Sequence, residues 1–262
     1  MGETAPRGNR HVVAPLAFLR GSLGLNRRYH KRHGYRKLNA DGYAHHAYTT
    51  HAGPRFVSPR RDDVTIGSLG RLRSALDRAG RARAIKRGMG IYLTEFGIQS
   101  KPDPFYGVSE TRQNEYRAIS ERIAYANPRV RAFSQYLMRD DLPRKGRPYL
   151  RYGGFESGLR HSGGRAKKAY KGFVLPLVAD HSSRRRVTMW GLVRPAGGRT
   201  RVVVSYRNRG QRTWHRLRRI GTNGRGYWRT RTGYRRGRSY CVFWTDSQGR
   251  TRTSPRVRVT RG

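Results

Sequence analysis

The period of the hydrophobic pattern changes once along this 262-residue chain, near Pro176, and that change limits its fold more than any other feature. Upstream, short apolar runs alternate with segments whose apolar residues recur every three or four positions. That is the pattern of strands joined by crossover helices into a parallel sheet. Residues 12–19 read as a helix with Pro15 near its first turn, and residues 42–48 as a short strand. Leu69, Leu72, Leu76 and Ala79 mark one helix face, with Asp62, Asp63 and Thr65 upstream as caps or first-turn charges. A strand at 91–96 follows. The next helix starts at Ser109-Glu110, carries Tyr116, Ile119, Ile123 and Ala126 on one face, and is stopped by Asn127-Pro128. Residues 130–137 make a third strand, and 167–173 a last short helix. From about Asp180 the runs 187–193, 201–206, 214–220, 227–232, 240–244 and 257–260 are short, alternating and separated by Gly, Asn and Arg turns. Such spacing predicts a small antiparallel β-sandwich, so the fold class is α/β plus all-β.

Hydrophobic residues make up 35% of the chain, which fits two modest cores better than one large one. Lys and Arg number 58 against 15 Asp and Glu, a net charge of +43. That excess points first to nucleic acid, an anionic membrane surface or another polyanion. The basic residues are mostly arginine, however, and are spread along nearly the whole chain rather than packed into blocks. Even spread is the mark of compositional bias, and nonspecific polyanion binding can accompany it. A ribosomal or chromatin role leaves unexplained a buried-looking strand such as Leu93-Thr94-Glu95-Phe96 followed by an amphipathic helix. The single cysteine, Cys241, excludes an intrachain disulfide and lies in an alternating run as a packed strand residue. No run approaches the ~18 apolar residues of a membrane span, and the N-terminus lacks a signal peptide's hydrophobic core. As written, the chain is expected in the cytoplasm, and a longer parent outside the cell.

Chemistry concentrates where the strands end. Glu95 stands at the C-terminal end of its strand, the end where βα barrels present catalytic groups. A plain strand-end carboxylate making hydrogen bonds is the competing reading. The order of elements favours the first: His46-Ala47-Tyr48, a helix, Thr94-Glu95-Phe96-Gly97, a helix, then Phe133-Ser134-Gln135-Tyr136. His45, His46 and His51 could also be read as a metal cluster, but they lack supporting cysteines and have few carboxylates nearby. Neither a metal nor another cofactor is expected.

Over about residues 1–173 this order resembles the C-terminal half of the clan A glycoside hydrolases, retaining (β/α)₈ enzymes of the cellulase-like and xylosidase-like families. The turn at 154–159, Gly163-Gly164 and Lys168-Ala169-Tyr170 resemble that family's last loop and helix. The resemblance implies strands five to eight of a TIM barrel over residues 1–175 and an Ig-like or fibronectin-like accessory sandwich over 181–262. It makes Glu95 the nucleophile, with His46, Tyr48, Gln135 and Tyr136 supporting it or binding substrate, an oligosaccharide or polysaccharide. Tyr48 would orient Glu95, and His46 would contact a sugar hydroxyl or the leaving group.

A retaining glycosidase also needs a second, protonated carboxylate, which the family carries after an Asn at the end of strand four. Asn114-Glu115 lies inside a helix, and Glu3, Asp140, Asp141 and Glu156 are poorly placed for that role. The expectation is therefore a chain that begins midway round its barrel, folds poorly alone and does not hydrolyse glycosides. Met138 stands where the family often has a sugar-stacking Trp, and Trp190, Trp214, Trp228 and Trp244 all fall in the sandwich. There the aromatics either fill a core or form a binding face. The alternative function is a non-catalytic basic protein that binds nucleic acid or an acidic cell-surface polymer.

Overall fold

The computed structural model describes residues 12–49, 51–195 and 197–260. Glu3 lies outside these residues. The chain divides into two compact units: residues 1–108, 123–138 and 144–158 form the first, and 109–122, 139–143 and 159–262 the second.

In the first unit, helix α1 (Pro15–Ser22) starts at Pro15, whose fixed φ and missing N–H suit a first helical position. Strand β1 (Gly42–His46) is followed by a long loop and a 3₁₀ turn (Ile66–Ser68), in which Thr65 and Ser68 form a capping box. Helix α2 (Leu69–Arg81) buries Leu69, Leu72, Ala75, Leu76 and Ala79 on one face, as its spacing predicts. Strand β2 (Gly90–Phe96) comes next. Helix α3 (Glu110–Ala126), whose residues up to 122 count with the second unit, ends where Asn127 accepts from the Arg129 amide and Pro128 forbids another helical residue before it. Strand β3 (Val130–Gln135) and the single turn α4 (Pro148–Arg151) complete the unit.

The three strands are parallel, with β2 in the middle, where the expectation was four strands of a half barrel. Ile91, Leu93 and Phe96 are buried, whereas Tyr92 and Thr94 alternate with them toward an exposed face. The Tyr92 ring covers Gly42, where a Cβ would sit 2.2 Å from a ring carbon, so any larger residue there would have to push that exposed ring aside.

The second unit holds helix α5 (Lys168–Val174) and strands β4 (Leu177–Ser183), β5 (Arg186–Leu192), β6 (Arg201–Arg207), β7 (His215–Gly221), β8 (Tyr227–Gly233), β9 (Ser239–Thr245), β10 (Thr251–Thr253) and β11 (Val257–Arg258). One antiparallel sheet has the order β4-β5-β8. The other has the order β10-β9-β6-β7, with β11 paired to β9. Val187, Met189 and Trp228 of the first sheet and Val202, Val204, Tyr240, Val242 and Trp244 of the second share one core. Trp190 is buried as well, so three of the four tryptophans serve packing. Cys241 is buried on β9. Lys167 and Asp140 form an enclosed ion pair at 2.6 Å, and Arg117, Glu121 and Arg194 are linked beside the Phe173 ring.

Candidate active site

Register brings the strand ends together. On β1 and β2, His46 sits opposite Glu95, and on β2 and β3, Phe96 sits opposite Gln135. The pairing of β1 shifts between Ala44 and His46, an irregularity of the kind that re-aims side chains beside functional sites.

Strand alternation sends His45 and His46 to opposite faces. His45 is buried and its Nε2 lies 2.9 Å from the Val64 carbonyl, and burial pushes its pKa below the usual imidazole value. His46 faces the other way, with Nδ1 3.2 Å from Glu95 Oε2. The Tyr48 hydroxyl donates to the same oxygen at 3.2 Å. The Glu95 side chain is 34% exposed. Among the described residues, both contacts fall on Oε2 and none on Oε1, so one oxygen of this part-exposed carboxylate carries both anchors.

Aromatic rings fix the anchors. Tyr48 lies nearly parallel to Phe96 at 6.0 Å and edge-on to Tyr136 at 6.5 Å, and Phe96 packs on Phe133 at 5.0 Å. The Tyr136 amide donates to the Phe96 carbonyl at 2.8 Å, which sets the β3 exit against the β2 exit. Gln135 also reaches the loop beyond β3. Its amide donates to the Ser157 carbonyl at 3.0 Å and the Tyr136 carbonyl at 2.8 Å, so it ties the 154–159 loop to β3. Gly97 permits that approach, because a Cβ there would lie 2.5 Å from the Ser157 Cβ.

Phe155 is the residue that sequence reasoning missed. It is 40% exposed, meets Tyr136 edge-on at 5.7 Å, and has φ of 76° without being glycine. A left-handed backbone under an exposed aromatic is the kind of local strain that gathers at ligand sites. Its only signal was an aromatic in the glycine-rich turn Tyr152-Gly153-Gly154-Phe155.

The other described acids weighed for the acid role stand apart from Glu95's contacts, and Asp141 is exposed. Asp140 pairs with Lys167, Glu156 is buried, and Glu115 lies on α3. Among the described residues no group of three or more His, Cys, Asp or Glu is arranged to hold a metal ion, and no helix is long and apolar enough to cross a membrane.

No family model matches the chain, and no curated protein matches it. Solved structures that match include a calcium-binding mutant of a Bacteroides uniformis β-glucuronidase, with 11% identity, 85% of this chain covered and a TM-score of 0.37. An FMN-binding β-glucuronidase from Facaelibacterium prausnitzii matches with 10% identity over 86% of the chain and a TM-score of 0.36. A Parabacteroides merdae β-glucuronidase matches with 12% identity over 75% and a TM-score of 0.35. The matched regions span 26%, 32% and 27% of those proteins' own lengths. At such TM-scores the likeness carries no weight for what this chain does.

Proposed function

We propose that this chain carries the nucleophile side of a retaining glycoside hydrolase site, acting on a β-linked oligosaccharide or polysaccharide. In this reading β1, β2 and β3 are three consecutive strands of a (β/α)₈-type sheet, and the sandwich is an Ig-like or fibronectin-like accessory module. The supporting observation is the Glu95 carboxylate at the C-terminal end of the central parallel strand, with Oε2 held by Tyr48 and His46 and Oε1 without a partner among the described residues.

The chemistry follows from that asymmetry. Oε1 attacks the anomeric carbon as the bond to the leaving oxygen breaks, giving a glycosyl ester on Glu95. Water then cleaves the ester and regenerates the carboxylate. Tyr48 and His46 hold the carboxylate at the attacking angle, while Tyr136 and Phe155 border the approach. A natural leaving group also needs a proton, and neither group that touches Glu95 is the carboxylic acid such enzymes use. An activated aryl leaving group needs no proton.

The test is therefore a trapping experiment. The chain is incubated with dinitrophenyl 2-deoxy-2-fluoroglycosides of several β-configured sugars, and its peptides are weighed by mass spectrometry. A glycosyl adduct on the peptide containing Glu95, lost in Glu95→Gln, is the expected result. No adduct with any sugar, or one that persists in Glu95→Gln, would overturn the assignment.

A further inference from the structure

Outside the Glu95 site, the first unit has a cleft between α1, the loop before α2, and α2 itself, with a volume of about 840 Å³. This lies within the ~300–1,000 Å³ usual for ligand clefts. Its lining includes Arg20, Arg27, Arg60, Arg61, Arg71 and Arg78, against two carboxylates, Asp62 and Asp63.

Several of these guanidiniums are already fixed in place. Arg20 forms a two-pronged pair with Asp62 at 2.8 and 2.6 Å, which holds the Asp62 carboxyl below its usual range. Arg71 donates to the carbonyls of Arg60 at 2.6 Å and Ser58 at 2.8 Å. Arg78 lies over the Tyr29 ring at 4.5 Å. Arg27, Arg60 and Arg61 are exposed at the cleft. Asp63 is buried and accepts from the Ser58 hydroxyl at 2.6 Å, so one of the two carboxylates is engaged below the surface.

We propose that this cleft is a binding site for a slender acidic polysaccharide, whose carboxylate or sulfate groups are received by the arginine forks. Guanidinium geometry matches such planar or multi-oxygen anions with paired hydrogen bonds. Its shape and lining disfavour nucleic acid. Single-stranded chains are held by stacking bases on aromatic faces, yet Tyr29, the aromatic in the lining, is buried with Arg78 over its ring. A duplex is too broad to enter a cleft of this volume. The site does not depend on the Glu95 reading, although it would serve a glycosidase by tethering an acidic substrate.

The experiment titrates fluorescently labelled polygalacturonate into the whole chain and follows anisotropy between about 50 and 200 mM NaCl. Uncharged dextran and a single-stranded DNA of matched charge serve as comparisons. Arg27→Gln/Arg60→Gln/Arg61→Gln is expected to weaken polygalacturonate binding by about tenfold and to flatten its salt dependence. A control with the same charge loss at exposed sandwich positions, Arg216→Gln/Arg219→Gln/Arg231→Gln, is expected to change affinity by less than about twofold, since it removes as much charge and none of the cleft's lining. Equal losses in both variants would show diffuse charge and overturn the site. So would absence of saturable binding, or tighter binding of the DNA.

Discussion

The pair formed by Lys167 and Asp140 allows a quantitative test of the second unit. Nζ lies 2.7 Å from one carboxylate oxygen and 2.6 Å from the other, and the two side chains are 0% and 4% exposed. Lys167→Met removes the cation and leaves the carboxylate enclosed. Breaking a buried pair from one side costs about 3–5 kcal/mol. For a chain of this size 1 kcal/mol shifts the melting midpoint by about 2–4 °C, so the midpoint should fall by about 6–20 °C. Lys167→Met/Asp140→Leu removes both charges and should recover more than half of the loss, because apolar pairs of similar size replace buried ion pairs well. All four tryptophans lie in the same unit, so their emission during thermal and urea unfolding reports the right transition. A drop below about 2 °C for Lys167→Met, or a double variant less stable than the single one, would refute the reasoning. The pair also settles Asp140's role: a carboxylate gripped on both oxygens by one ammonium braces the fold and leaves no oxygen for a leaving group.

Two further outcomes follow from the first unit. Burial keeps His45 neutral in the folded chain, whereas the unfolded chain takes up a proton near pH 6.5, so the unfolded state binds more protons as pH falls. Stability should decline from about pH 6.5 downward, and urea midpoints at about pH 7.5 and 5 should differ less in His45→Gln; an unchanged difference would assign the pH dependence to other groups. Gly97→Ala should cost about 1–3 kcal/mol by pressing a methyl against Ser157, and Ser157→Gly in the same chain should relieve part of it in urea denaturation; no relief would place the strain elsewhere.

The elements that sequence reading found are those with a local physical signature. Leu69, Leu72, Leu76 and Ala79 repeat at helical spacing, and Asn127-Pro128 stops α3 where expected. The sandwich strands that alternate, such as β6 and β9, were equally legible. Strand β4 escaped because Leu177-Val178-Ala179-Asp180 is buried without a break and shows no alternation. Strand β10, Thr251-Arg252-Thr253, has no apolar residue to betray it. Helix α1 begins at Pro15 rather than residue 12, since proline suits the first position better than the middle of the first turn. At the site, the sequence order named His46, Tyr48 and Glu95, and register then joined them. Gln135, named for support or substrate, is tied to the 154–159 loop through Ser157, a contact with no local signature. The arginines of the cleft come from positions 20 to 78, and only folding could collect them.

The way Glu95 is held also governs where the chain can accept inserted or deleted residues. Both of its anchors come from the exit of β1, and they reach it only while His46 stands opposite it in the ladder. A single residue added within residues 42–46 would swap the faces of everything after it, putting the buried histidine at the carboxylate and hiding its neighbour. Between Tyr48 and the 3₁₀ turn, by contrast, extra residues lengthen a connection whose entropy grows only slowly with length. Natural variation in relatives, and grafts made by design, should therefore collect in that long connection, while the five residues of β1 hold a constant count.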